Sequence, residues 1–261
     1  MKLKQTQKLT LFLLFLLLVG GGLLYWQTAY GVTRTWDGGG TDGTCGGGAG
    51  DGNKWSCAAN WSADTAPTAS DVATFDATST KDATIAANVS VAGINIALGY
   101  TGTITQTSTF TITVGSSAWV QAAGTFVGGS GNISTSTSFT FSSGTFTSTS
   151  GTLAIGSCIS AVMTVSSGTT FNHNNGTVTL NCFNTSGAAT YTIDVATTLT
   201  LYNIVLNTAD SSDNYVVASG DTLIAANDFT HAGGILGGPG VWEVQNNVII
   251  GAGSFGGTGT L

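Results

Sequence analysis

Positive charge is nearly absent from this sequence. Only 6 of the 261 residues are Lys or Arg, and none follows Lys81. Proteins that bind nucleic acids replace phosphate counterions with clustered cations, and this chain has no such cluster. The sequence therefore excludes nucleic acid as a partner, and its net charge of −7 argues against polyanionic sugars.

Charged residues of either sign and prolines are also scarce. The charged fraction is 7%, whereas an ordinary globular protein has about 25%. The hydrophobic fraction of 42% is too high for a disordered chain. Gly (38 residues), Thr, Ser and Asn fill the remainder, and this mixture suits strands and tight turns. A helical bundle and a doubly wound α/β enzyme are therefore disfavoured, and the fold class is all-β.

Residues 1–31 have the pattern of an export signal. Lys2, Lys4 and Lys8 precede an apolar run at residues 9–19, and small residues stand at positions −3 and −1 of a cleavage site after Gly31. The apolar stretch extended to Trp26 is just long enough to span a bilayer, so an uncleaved anchor helix is the alternative. Both interpretations place the remaining chain outside the cytoplasm, secreted or at the cell surface.

The most informative feature is an internal repeat. Four segments share the pattern Phe, four residues, Gly, one residue, aliphatic. They begin at Phe126, Phe146, Phe171 and Phe229. The spacing of the first three is that of one coil of a parallel β-helix, and the wider gap before the fourth leaves room for further coils.

We therefore predict a right-handed parallel β-helix. Its inward positions hold the repeat phenylalanines and aliphatic residues, its outward positions hold Thr and Ser, and glycines supply the positive φ angles at the corners. Each strand pairs with its equivalents in the coils above and below. A β-sandwich carbohydrate-binding module, which also has short strands, is an alternative fold.

The four cysteines are expected to form disulfides because the chain is exported. Their spacing favours the local pairs Cys45–Cys57 and Cys158–Cys182. The separation of the second pair equals one repeat length, so this bond would join adjacent coils at a Cα distance that a disulfide accepts. No CxxC pair is present, and we predict no metal site on these thiols.

The segment before the repeats carries a different set of motifs. It contains Trp36-Asp37-Gly-Gly, Asn60-Trp61-Ser, Ala66-Pro67 and Asp71-x-Ala-x-Phe75 in this order. This order resembles the start of the mature region in secreted bacterial β-helix surface proteins of the autotransporter-passenger-like and adhesin-like kinds. The resemblance covers residues 33–76 in motif detail, and the Cys45–Cys57 loop departs from its pattern.

The resemblance implies secretion, surface display and a cap over the first coil, and it carries over no catalytic residues. The expected organisation is a signal or anchor at 1–31, a Gly/Trp-rich cap at 32–80 and solenoid repeats at 81–261. Because the sequence stops inside a repeat, we expect the repeats to be truncated.

Candidate chemistry is sparse. His173 and His231 are the only histidines and occupy the same repeat position, which favours a structural role at a coil corner. A glycosidase would need carboxylates clustered on one face, and Asp194, Asp221 and Asp228 are the candidates. The lyases of this fold use a Lys or Arg base, and no Lys or Arg follows Lys81.

The acidic loops and the tryptophans suggest two further ligand types. Calcium is a weak prediction, because two acidic groups lie in loops without matching a known calcium motif. These groups are Asp37, Asp42 and Asp51 in one loop, and Asp210 and Asp213 in another. Trp36, Trp55 and Trp61 are expected to form the hydrophobic plug of the cap, with a glycan-contact platform as the alternative.

The sequence as a whole predicts an exported, non-catalytic cell-surface β-solenoid without a cofactor. Its role would be structural or adhesive, with cell-surface or extracellular glycans or proteins as partners. If the signal is uncleaved, the amino-terminal segment would also anchor the chain in the membrane. The alternatives are a glycoside hydrolase-like β-helix enzyme and a carbohydrate-binding β module.

Overall fold

A computed structural model describes residues 31–45, 51–182, 187–208, 210–251 and 254–255. The predicted signal or anchor segment lies outside these residues except for Gly31, and so does the end of the chain after Phe255. Within the described part, no helix is both long and apolar enough to cross a membrane.

The described residues form short strands and, near the amino terminus, three single 3₁₀ turns at Asp51–Asn53, Ala58–Asn60 and Ser62–Asp64. In chain order the strands are β1 (Thr33–Thr35), β2 (Val72–Phe75), β3 (Ala83–Ile85), β4 (Val89–Val91), β5 (Gly93–Ile96), β6 (Thr103–Gln106), β7 (Ile112–Val114), β8 (Trp119–Gln121), β9 (Thr125–Val127), β10 (Ile133–Thr135), β11 (Phe139–Phe141), β12 (Thr145–Thr147), β13 (Thr152–Ile155), β14 (Ala161–Val165), β15 (Thr170–Asn172), β16 (Thr177–Cys182), β17 (Thr190–Asp194), β18 (Thr198–Leu201), β19 (Asn203–Thr208), β20 (Asn214–Val217), β21 (Thr222–Ala225), β22 (Phe229–His231), β23 (Ile235–Gly237), β24 (Val241–Val244), β25 (Val248–Ile250) and β26 (Ser254–Phe255).

The strands wind into a right-handed parallel solenoid of about seven turns. From β2 onward, every third strand joins the same sheet. This gives a ten-stranded sheet from β2 to β26 that β1 completes at its start, and an eight-stranded sheet from β4 to β25. The third side of the coil is divided into a five-stranded sheet (β3 to β15) and a three-stranded sheet (β18 to β24). All pairings between these strands are parallel, so the β-sandwich alternative is wrong.

Alternation along each strand separates the core from the surface. In β16, Val178, Leu180 and Cys182 are buried, whereas the intervening Thr and Asn residues are partly exposed. This period of two is the expected pattern for a strand with one face in the core. The predicted division into apolar inward and hydroxyl-rich outward positions is therefore present.

Three of the four repeat phenylalanines stack in register. Phe126 pairs with Phe146, and Phe146 pairs with Phe171, across β9, β12 and β15. The ring centroids are 5.1 and 5.4 Å apart. Phe229 is also buried, but it lies in β22 of the eight-stranded sheet and pairs with Ile204. Its assignment to the same repeat position is therefore wrong.

Glycines occupy the corners for two reasons, and the sequence predicted only one of them, a positive φ angle. Gly131, Gly151 and Gly176 do not have positive φ angles. A Cβ atom at Gly131 would lie 2.0 Å from the carbonyl oxygen of Phe110, and one at Gly176 would lie 2.1 Å from that of Thr149. Close approach of the preceding coil therefore requires glycine at these corners. Positive φ angles occur at other corner glycines, such as Gly144 (φ 94°).

Both predicted disulfides form. Cys158, in the corner after β13, joins Cys182 at the end of β16 in the next coil, with a Cα–Cα distance of 5.1 Å. Cys45 joins Cys57 within the amino-terminal segment. No cysteine in the described residues is free. Two disulfides indicate an oxidising environment.

The amino-terminal segment packs on the first coil. Strand β1 pairs with β2, and Lys54 forms a bridge to Thr84 in β3. The ammonium of Lys81 donates hydrogen bonds to the carbonyls of Gly38 and Gly40, which ties the glycine-rich loop to the coil. These contacts cover two of the three strand edges at the start of the solenoid.

Candidate functional site

A cleft interrupts one side of the solenoid. The five-stranded sheet ends at β15 and the three-stranded sheet begins at β18, although these strands belong to consecutive coils. Between them lies a cleft of about 680 Å³, lined by residues within 165–174 and 195–200. This volume is in the range of ligand sites. We call it the sheet-break cleft.

Unequal coil lengths explain the break. Met163 pairs with Ile193 and Val178 pairs with Ile204, but the chain from Met163 to Val178 is longer than the chain from Ile193 to Ile204. The longer coil turns between β15 and β16 through residues 173–176, whereas Tyr202 alone separates β18 from β19. The shorter path carries β18 away from β15, so the two strands do not pair.

The lining combines an apolar floor with polar walls. Phe171 is partly buried against the core, and Leu199, Val165 and Val195 are buried beside it. The walls carry hydroxyl and amide side chains. These belong to Ser166, Ser167, Thr169, Asn172, Asn174, Thr197, Thr198 and Thr200. No carboxylate, ammonium or guanidinium is among the lining side chains.

One wall contains an imidazole fixed by its neighbours. The ring of His173 stacks on that of Tyr202, with centroids 5.5 Å apart and an interplanar angle of 25°. Its Nδ1 accepts a hydrogen bond of 3.0 Å from the backbone N–H of Asn175. Asn174 and Asn175 both adopt the left-handed conformation, which Asn tolerates better than most residues.

The opposite wall contains strained backbone held by a carboxylate. Thr197 has φ 106° and Ala196 has φ 48°. A β-branched residue at such an angle is a conformational outlier. The Asp221 carboxylate accepts hydrogen bonds from the N–H groups of Val195 (3.0 Å) and Thr197 (3.1 Å), and this pins the strained turn to the next coil.

The two histidines do not occupy equivalent positions in the coil, so the prediction of a shared repeat position is wrong. His173 lies at the edge of the sheet-break cleft, whereas His231 is fully buried at the end of β22. Desolvation by the core lowers the pKa of His231, and hydrogen bonds to the backbone of Gly233 and Gly234 partly oppose this.

Burial of His231 predicts a loss of stability in acid. The unfolded chain takes up a proton near pH 6.5, which the folded protein resists because its imidazole pKa is lower. The free energy of unfolding should therefore fall as the pH drops below that value, by up to about 1.4 kcal/mol per pH unit from this group. Urea denaturation followed by circular dichroism at several pH values measures this slope.

A matched pair of variants isolates the contribution of His231. His231→Gln removes the titrating group and should flatten the pH dependence, whereas His173→Gln keeps His231 and should retain it. An unchanged slope in His231→Gln would show that the acid sensitivity comes from other groups.

Two of the candidate glycosidase carboxylates, Asp221 and Asp228, lie at different corners of the coil. Asp221 lies at the corner between β20 and β21, while Asp228 lies at the next corner, between β21 and β22. Asp228 accepts hydrogen bonds from the side-chain amides of Asn246 and Asn247. Asp194 is exposed at the end of β17. The two corner carboxylates thus brace successive coils.

The weakly predicted calcium loops also show structural uses for their carboxylates. Asp213 accepts hydrogen bonds from the Ala189 N–H and the Thr208 hydroxyl, and Asp210 accepts two from Ser212. In the other loop, Asp37 accepts one from Gly39, Asp42 accepts one from Gly52, and the side chain of Asp51 lies outside the described part. No cluster of three His, Cys, Asp or Glu residues suited to a metal occurs among the described residues.

The three amino-terminal tryptophans form a buried cluster. Trp36 and Trp61 are fully buried and Trp55 is 4% exposed, and all three rings pack around Phe75 at centroid distances of 5.5, 5.4 and 5.6 Å, respectively. A sugar platform needs an open ring face. Trp55 only reaches the edge of a groove of about 290 Å³. The rings are therefore a hydrophobic plug, and the glycan-contact alternative for these side chains is wrong.

Comparison with known proteins gives no closer assignment. No family model, curated protein or solved structure matches the chain. The sheet-break cleft must therefore be interpreted from its own geometry. Sequence reasoning missed it, because the difference in coil length that opens the cleft is visible only once the strands are paired.

Proposed function

We propose that the chain is an exported, non-catalytic β-solenoid with a structural or adhesive role at the cell surface. The observation that supports this proposal best is a parallel solenoid in which the Cys158–Cys182 disulfide joins two adjacent coils. Disulfides persist in oxidising compartments and are rare in the cytosol. The hydroxyl-rich outward faces suit contacts with glycans or proteins outside the cell.

The placement of the acidic residues supports a non-catalytic role. A glycosidase needs two carboxyl groups that converge on one glycosidic bond. Asp221 and Asp228 lie at different corners and accept hydrogen bonds from neighbouring coils. A carbohydrate-active enzyme is the alternative proposal, and release of reducing sugar from neutral polysaccharides by the purified protein would support it.

Localisation and thiol state test the proposal together. The full chain, produced in a bacterial host with its own leader, should reach the outside of the cytoplasm with both disulfides formed. Surface biotinylation and electrophoresis with and without reductant measure these two properties.

A leader variant supplies the matched control. Leu14→Arg places a charge inside the apolar run at 9–19 and should retain the chain in the cytoplasm. Wild-type protein that stays in the cytoplasm with four reduced thiols would overturn the proposal.

A further inference from the structure

We infer that the sheet-break cleft binds an uncharged oligosaccharide. This inference rests on the proposed surface role and names a ligand class for it. It depends on three properties of the cleft: the absence of carboxylate, ammonium and guanidinium groups, an aromatic floor and a fixed set of polar groups.

Charge restricts the ligand to neutral molecules. The lining contains no carboxylate, ammonium or guanidinium group. The sequence has no Asp, Glu, Lys or Arg at all between Asp82 and Asp194. A charged ligand would therefore lose hydration in the cleft without gaining a counter-charge. The carboxylate of Asp221, beside the strained turn, would further disfavour an anion.

Phe171 provides the surface on which an apolar sugar face can pack. Its ring is the last of the stacked column, with Phe146 at 5.4 Å on one side. No strand pairs with β15 on the other side, and Phe171 is only partly buried there. An aromatic ring supported from behind and open to a cleft offers a rigid apolar contact to the C–H groups of a pyranose.

The polar groups around Phe171 are preorganised. The Asn172 amide donates to the Thr147 hydroxyl at 3.3 Å, and the Asn174 amide donates to the Ser148 carbonyl at 2.9 Å. Both amides are therefore oriented by the preceding coil before a ligand arrives. Fixing polar groups in advance lowers the entropic cost of binding. Hydroxyl and amide groups match the donors and acceptors of a sugar.

Binding of short neutral oligosaccharides to the secreted full-length protein tests the inference. An array of neutral gluco-, manno- and galacto-oligosaccharides, with uronic-acid and sulfated oligosaccharides beside them, should show binding among the neutral set only. Phe171→Ala should weaken that binding by at least about tenfold, as expected for an aromatic anchor. Titration calorimetry with the best neutral oligosaccharide measures the change.

Three further variants separate binding from folding. Asn172→Ala and Asn174→Gly alter exposed side chains, and glycine accommodates the left-handed backbone of position 174. Both should weaken binding with little change in the thermal midpoint. Phe110→Ala alters a partly exposed ring outside the cleft and should bind as wild type.

The outcomes distinguish this inference from the proposed function. A surface-displayed, disulfide-bonded protein that binds no neutral oligosaccharide, or binds only the anionic set, overturns the cleft assignment and leaves the surface role intact. Full binding by both Phe171→Ala and the Asn variants also overturns it. Retention of the wild-type chain in the cytoplasm overturns the proposed function instead.

Discussion

Replacing Phe146 with alanine is expected to lower the free energy of unfolding by about 3–5 kcal/mol. The Phe146 ring lies at the centre of the stacked column, between Phe126 and Phe171. It also meets Phe139 at 4.9 Å and Trp119 at 5.6 Å in edge-to-face geometry. Deleting the ring leaves a cavity that parallel strands on three sides cannot close by small shifts. Urea denaturation measures the loss.

Two variants calibrate this effect. Phe146→Leu keeps most of the apolar volume and should lose only about 1–2 kcal/mol. Phe110→Ala removes a partly exposed ring at a corner and should lose less than about 1 kcal/mol. Far-ultraviolet circular dichroism and tryptophan fluorescence should be followed together, because stacked repeats can unfold in more than one step. Equal losses in Phe146→Ala and Phe110→Ala would show that the column does not stabilise the solenoid.

The parallel coil could be predicted from sequence because three successive repeats keep the same internal spacing. From Phe126, Phe146 and Phe171 the glycine follows at the fifth residue and the aliphatic residue at the seventh. Equal spacing within a coil places equivalent residues above one another, whatever the length of the remaining loop. Ile133, Leu153 and Val178 accordingly pair in register in the eight-stranded sheet.

The same pattern misplaced Phe229 for a physical reason. Phe, four residues, Gly, one residue and an aliphatic residue describes one corner between two strands, and each coil has three such corners. At Phe229 the pattern spans the corner from β22 to β23, and Gly234 there has a φ of 81°. A short motif therefore identifies a corner, and strand pairing is needed to say which one.

The sheet-break cleft was beyond sequence reasoning because it depends on a difference between two coils. The local sequences around Phe171 and Leu199 both read as ordinary strands. Only the pairing of Met163 with Ile193 and of Val178 with Ile204 reveals that one coil is shorter than the other between the two sheets. The roles of Asp221 and Asp228 were hidden for the same reason, because their hydrogen-bond partners lie one coil away.

Removing the Cys158–Cys182 disulfide is expected to lower the free energy of unfolding by about 3–4 kcal/mol, on the loop-entropy relation for a separation of this size. The bond links positions with a sequence separation of 24 and joins the coils of β13 and β16. Strand β15 has no partner on its far side in this region, so the coil depends more on its remaining connections. The double variant Cys158→Ser, Cys182→Ala removes the bond without leaving a free thiol.

The part of the solenoid that loses stability distinguishes the Cys158–Cys182 disulfide from the disulfide in the amino-terminal segment. In a solenoid each coil contacts only its neighbours. Removing a disulfide should therefore increase local unfolding first in the coils that the bond had joined. Hydrogen exchange in the double variant should therefore accelerate in β13 and β16 before β2 and β5. The matched variant Cys45→Ser, Cys57→Ala should show the reverse order. The pairing of Cys158 with Cys182 also fixes the register of two coils. Mass mapping that finds either thiol bonded elsewhere would therefore contradict the stacking of the coils. An unchanged unfolding midpoint in the double variant would contradict only the contribution of the bond to stability.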